Sequence, residues 1–117
     1  MSESVTIYHN PRCSKSRAAL ELLDKQGIQP QVIEYLKAPP AAATLEKLLD
    51  MLGMEPRELM RSAEPEYRDN GLDAPGLTRA QLIEAMVRHP RLIERPIVVH
   101  NGRAVIGRPP VKVLDIL

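Results

Sequence analysis

Cysteine is almost missing from this chain: Cys13 is the only one in 117 residues. No disulfide can form within them, so the fold does not depend on an oxidising compartment. Phenylalanine and tryptophan are absent, and three tyrosines make up the whole aromatic fraction of 3%. The core must then be built from Leu, Ile, Val, Met and Ala. The same shortage argues against aromatic platforms for stacking single-stranded bases. Charge of one sign is also lacking: 16 basic and 15 acidic residues leave a net charge of +1. No global basic field attracts nucleic acid, and any positive potential has to be local. No apolar run approaches the roughly 18 residues of a membrane span. Met1-Ser2-Glu3-Ser4 shows no basic region leading into an apolar segment, so no signal peptide is visible. Together these absences predict a cytoplasmic protein with neither a membrane nor a nucleic acid as partner.

What is present fits one globular domain over residues 1–117, with 44% apolar residues for its core. Residues 4–8 read as a first strand, broken by Asn10-Pro11. From Ser14 to about Gln26, the residues Ala18, Ala19, Leu22 and Leu23 recur at helical spacing, and Gly27 stands where a C-terminal cap belongs. Val32-Ile33-Glu34-Tyr35-Leu36 reads as a second strand, giving a β-α-β unit with parallel strands. Thr44 is expected to cap a helix ended by Gly53, and Pro56 to start a short one through Met60. Residues 62–77 read as a long loop. Thr78-Arg79-Ala80-Gln81 fits a capping box, and its helix stops before Pro90. Residues 97–99 and 104–106 read as a hairpin about Asn101-Gly102, followed by a final helix with Val111, Leu114, Ile116 and Leu117 apolar. The order β-α-β, helical stretch, β-β-α predicts an α/β thioredoxin-like fold. Its four-stranded mixed sheet would carry a helical insertion between the two halves.

The thiol sits where the first strand gives way to the first helix, among Arg12, Lys15 and Arg17. A helix N-terminus and nearby cations favour the thiolate and lower a cysteine pKa from about 8.5 to roughly 3.5–7.5. The same free N–H groups and helix dipole make an anion site. Nucleophile and oxyanion pocket then coincide. Three further arginines stand at element ends: Arg61 after a short helix, Arg95 before Pro96 and Arg108 before Pro109. In a thioredoxin-like arrangement the turn before the third strand lies beside the nucleophile turn, and its proline, here Pro96, is usually cis. Arg95 is thereby carried to the thiol.

His9-Asn10-Pro11-Arg12-Cys13-Ser14-Lys15-Ser16-Arg17 resembles the active-site motif of the glutaredoxin-coupled arsenate reductases, the ArsC-like family. Leu59-Met60-Arg61 with Glu64-Pro65-Glu66-Tyr67, then Glu94-Arg95-Pro96-Ile97-Val98-Val99, then Gly107-Arg108-Pro109-Pro110 resemble its later blocks in order. The pattern is most similar to the short YfgD-type branch. The plasmid-type members carry a longer C-terminal tail, and Lys15 replaces their small polar residue.

The resemblance implies reduction of arsenate, or a similar oxyanion, to arsenite. Cys13 is the implied nucleophile, Arg61, Arg95 and Arg108 the oxyanion ligands, and His9 and Ser16 supports of the thiolate. Arg17 matches a further motif position. The resemblance implies no bound cofactor or metal, with glutathione as co-substrate and glutaredoxin as partner. The cysteine count agrees on one point independently: with serine at position 16, the second thiol must come from outside the chain. Two other readings share the fold. A glutaredoxin-like thiol transferase would use Cys13 alone. An Spx-type regulatory binding protein would require a second cysteine for its disulfide switch.

Overall fold

A computed structural model describes residues 4–117; residues 1–3, which open the N-terminal stretch read above, lie outside the described residues. The described residues divide into two compact units, one formed by residues 4–38 and 95–117 and the other by residues 39–94. The discontinuous unit is the sheet unit, and the insertion is helical.

In the sheet unit, strand β1 (Val5–His9) alternates buried and half-buried residues. Helix α1 (Ser14–Lys25) follows, then β2 (Gln31–Glu34), β3 (Ile97–His100) and β4 (Arg103–Ile106). The strand order is β2-β1-β3-β4. β1 is parallel to β2 and antiparallel to β3, and β3 is antiparallel to β4. This is the expected four-stranded mixed sheet of a thioredoxin-like fold. The hairpin turn adopts positive φ at both Asn101 (54°) and Gly102 (74°), the mirror-image turn that strand twist favours.

The buried stripe of α1 is Ser16, Ala19 and Leu23. It departs from the expected face, since Ala18 is exposed and Leu22 only partly buried. With Val5, Ile7, Val98, Val113 and Ile116, Ala19 and Leu23 form the core of this unit. The last element is a 3₁₀ helix over Pro110–Ile116 rather than an α-helix. At three residues per turn, positions three apart share a face. Val113 and Ile116 therefore go inward, while Val111, Leu114 and Leu117 stay exposed. Beyond the expected aliphatic core, Tyr35 is also fully buried.

The helical unit contains α2 (Ala42–Leu52), α3 (Pro56–Leu59), α4 (Pro65–Asp69), α5 (Arg79–Arg88) and a 3₁₀ turn over Pro90–Leu92. Helix α2 starts before Thr44, with Ala41 as its N-cap. Alanine is the strongest helix former, so Ala42 and Ala43 extend the helix ahead of the expected cap. Gly53 ends it at φ +68°, a conformation costly for other residues. The region 62–77 is not wholly loop, because Pro65 opens α4 from its first position. The Thr78–Gln81 capping box forms as expected. Among the described residues, no helix is long and apolar enough to cross a membrane.

Candidate active site

Strand register decides what meets at the thiol. Tyr8 pairs with Ile97, and Ile97 pairs with Ile106. The turn after β1, the turn before β3 and the turn after β4 therefore emerge at one end of the sheet. They carry Cys13, Arg95-Pro96 and Gly107-Arg108-Pro109. Both the Arg95–Pro96 and the Arg108–Pro109 peptide bonds are cis. The first was expected from the fold. Nothing in the sequence pattern singled out the second.

The turn at Cys13 is built from local hydrogen bonds. Asn10 Oδ1 accepts from the Arg12 N–H at 3.0 Å, and the Asn10 carbonyl accepts from the Cys13 N–H at 3.0 Å. Asparagine is suited to this role because its short side chain reproduces a backbone turn. Cys13 is the N-cap of α1, and its carbonyl accepts from the Arg17 N–H at 2.9 Å. Its side chain makes no conventional capping hydrogen bond. Its sulfur nevertheless lies under the orphan N–H groups of the first turn.

Cys13 is 9% exposed. Burial alone pushes its thiol up, but the Ser16 N–H, the Arg95 guanidinium and the Lys15 N–H outweigh that and bring it down from 9.0 to about 7. Arg108 Nη1 donates toward Cys13 Sγ at 3.8 Å and to the Arg95 carbonyl at 3.1 Å. Two guanidinium groups thus address one sulfur at a helix N-terminus. This is a fitting place for a thiolate to meet a second anion.

His9 and Ser16 meet through their side chains beside the Asn10 turn. The Ser16 hydroxyl accepts the Asn10 N–H at 3.0 Å and lies 2.6 Å from His9 Nδ1. Both residues are buried. Burial lowers the His9 pKa, Glu34 pulls it up and Arg17 pulls it down, with a net lowering from 6.5. The imidazole is therefore neutral at pH 7. Arg17 donates to the Pro11 carbonyl at 3.0 Å, which fastens the turn from its outer side. Arg17 also borders a groove of about 430 Å³ along α1 whose lining does not include Cys13.

Arg61 belongs to the helical unit. Residues 59–61 run beside 92–94, with the Arg61 N–H donating to the Leu92 carbonyl at 2.7 Å. Its guanidinium is paired with Glu64 through Nη1 and lies 3.7 Å from Glu94 through Nε. Arg91 shares Glu64 at 3.0 Å. Sequence reasoning singled out Arg61 but missed these carboxylates, although Glu64 and Glu94 both stand in the quoted blocks. Among the described residues, no group of three or more His, Cys, Asp or Glu side chains is placed to hold a metal ion.

The model of the ArsC family matches residues 8–116. The chain belongs to the ArsC family. Among relatives, the Escherichia coli K12 protein YfgD is 54% identical over 118 residues, covering 100% of this chain and 99% of that one. An arsenate reductase of Neisseria meningitidis is 47% identical over 106 residues, covering 90% and 91% of the two chains. The solved structure of the arsenate reductase from Vibrio cholerae is similar with TM-score 0.97 and 52% identity, covering 100% of both chains. The ArsC match runs across all the blocks that carry Cys13, Arg61, Arg95 and Arg108.

Proposed function

We propose that this ArsC-family chain reduces arsenate to arsenite, with Cys13 as nucleophile and thiols from outside the chain as reductant. The observation that carries the reading is the paired approach of Arg95 and Arg108 to Cys13 Sγ. A thiolate and an arsenate oxyanion repel each other, and guanidinium forks offset that repulsion while donating paired hydrogen bonds to a tetrahedral anion. Relatives at 45–47% identity are named arsenate reductases, which supports the substrate.

In the first step the Cys13 thiolate attacks As(V), an As–O bond breaks, and the protonated oxygen leaves as water. A Cys13 S–As bond remains. An external thiolate then attacks Cys13 Sγ. The S–As electron pair passes to arsenic, which leaves as As(III), and Cys13 is oxidised to a mixed disulfide. A second external thiol attacks that disulfide and returns Cys13. The balance is one arsenate and two thiols to one arsenite, one disulfide and one water. Glutathione, followed by glutaredoxin on the mixed disulfide, fits this demand. Arg61 is the third arginine of the reading, and Glu64 and Glu94 compete with an oxyanion for its guanidinium.

The test measures arsenite formed from arsenate with glutathione and glutaredoxin, beside reduction of a glutathionylated peptide. Arsenite production by the wild-type chain and none by Cys13→Ser is the expected result. Turnover of the peptide alone would replace this reading with a thiol transferase.

A further inference from the structure

Gly107 stands where the turns around Cys13 meet. Its N–H donates to the Pro96 carbonyl at 2.9 Å. The next residue, Arg108, donates through Nη1 to the Arg95 carbonyl at 3.1 Å. These bonds continue the Ile97–Ile106 pairing beyond the strands and join the two Arg-Pro turns into one body.

On its other side Gly107 faces α1 and the C-terminal 3₁₀ helix. A Cβ at this position would lie 3.0 Å from Pro96 Cγ, 3.3 Å from Val113 Cγ1 and 3.4 Å from Ala19 Cβ. Carbon atoms in contact prefer about 3.5–4.0 Å. The proline ring has no free rotor with which to retreat, and Ala19 and Val113 are fully buried. Gly107 is not among the positive-φ glycines, so the requirement here is space and not backbone torsion.

We propose that Gly107 is a positioning residue: its missing side chain sets how closely the Arg95–Pro96 and Arg108–Pro109 turns approach each other, and so how both guanidinium groups stand to Cys13 Sγ. The inference rests on the reading of Cys13 as an activated nucleophile. A methyl at position 107 presses first on the Pro96 ring and drives the two turns apart, while Ala19 of α1, at 3.4 Å, stays at ordinary contact distance. Gly107 acts through Arg95 and Arg108 and touches no substrate.

The experiment compares Gly107→Ala with wild type in the rate of Cys13 alkylation by iodoacetamide against pH, and in kcat/KM for arsenate. The expected alkylation midpoint rises by about one pH unit. Arsenate kcat/KM is expected to fall about 10²-fold, as misplacement near 1 Å does. Val105→Ala is the control. Val105 packs against the same core from β4, so its truncation lowers stability without touching the turns. It should keep the wild-type midpoint. An unchanged midpoint in Gly107→Ala, or an equal shift in Val105→Ala, overturns the proposal. If Gly107→Ala does not fold, Gly107→Ala/Val113→Ala makes room on one side while keeping the closest contact, with Pro96. The same shift is then expected, and its absence overturns the proposal equally. A wild-type chain titrating like a free thiol would instead sink the activated-nucleophile reading.

Discussion

Arg108 Nη1 lies between Cys13 Sγ, at 3.8 Å, and the carbonyl oxygen of Arg95, at 3.1 Å. One guanidinium thus links the thiol to the backbone of the second arginine that serves it. The carbonyl is a neutral acceptor that orients the guanidinium toward the sulfur. Arg61 is held differently, by carboxylates that offset its charge.

The thiol itself gives the first prediction. Cys13 should alkylate with a pH midpoint at about 7, well below the 9.0 of an ordinary thiol. The depressed folded pKa also makes stability depend on pH. The contribution is full above the unfolded thiol's pKa near 9.0 and is lost as pH falls to about 7. The denaturant midpoint of wild type relative to Cys13→Ser should therefore rise between pH 6 and pH 9. A constant difference would contradict the shift.

Removing either arginine at the sulfur should be costly to catalysis. Arg95→Ala and Arg108→Ala are each expected to lower arsenate turnover by about 10²–10³-fold, as loss of one preorganised oxyanion donor does. Arg79→Ala removes ion pairs with Glu46, Asp50 and Glu55, and Arg88→Ala one with Glu84; losing these exposed pairs should leave turnover near wild type. Steady-state kinetics on the four variants decides; similar losses throughout would dissolve the special status of the pair.

Ser16→Ala separates support of the turn from activation of the thiol. The Asn10 N–H loses its acceptor, at a cost of about 1–3 kcal/mol if left unsatisfied. The Ser16 backbone N–H that lowers the thiol pKa remains. Thermal melting should show the loss while the alkylation midpoint stays near wild type. A midpoint returning to that of a free thiol would assign the activation to the hydroxyl.

Glu64 and Arg61 form a testable pair. If an oxyanion displaces Glu64 from Arg61, Glu64→Gln should lower the arsenate KM by about two- to fivefold, the span of a partly exposed ion pair worth up to ~1 kcal/mol. In an Arg61→Ala background the same change should have no effect on KM. Equal effects in both backgrounds would show that Glu64 acts elsewhere.

The regular elements were legible where local chemistry alone determines them. Asn101-Gly102 has the conformational freedom for its turn, Gly53 stops α2 at positive φ, and Thr78 with Gln81 closes its capping box. The final helix was read with Val111, Leu114, Ile116 and Leu117 as its apolar residues; of these only Ile116 is buried, and tertiary packing takes Val113 beside it. At the site, Cys13 with its basic neighbours was visible, as was Arg95 before Pro96. The carboxylates on Arg61 were not, since Glu94 is 33 positions away and nothing local marks the pair. Gly107 stood in a quoted motif, but its crowding by Ala19 and Pro96 exists only after folding.

The bond from Arg108 to Cys13 joins residues 95 positions apart. At about 5–20 residues per second, that much chain takes on the order of ten seconds to synthesise. For most of this interval Cys13 has been made and neither Arg95 nor Arg108 has. The growing chain therefore carries an ordinary cysteine, and a fragment ending before Arg95 should alkylate with the pH dependence of a free thiol. The lowering of the thiol pKa is thus completed only when residues Arg95–Leu117 join Cys13 in one compact unit.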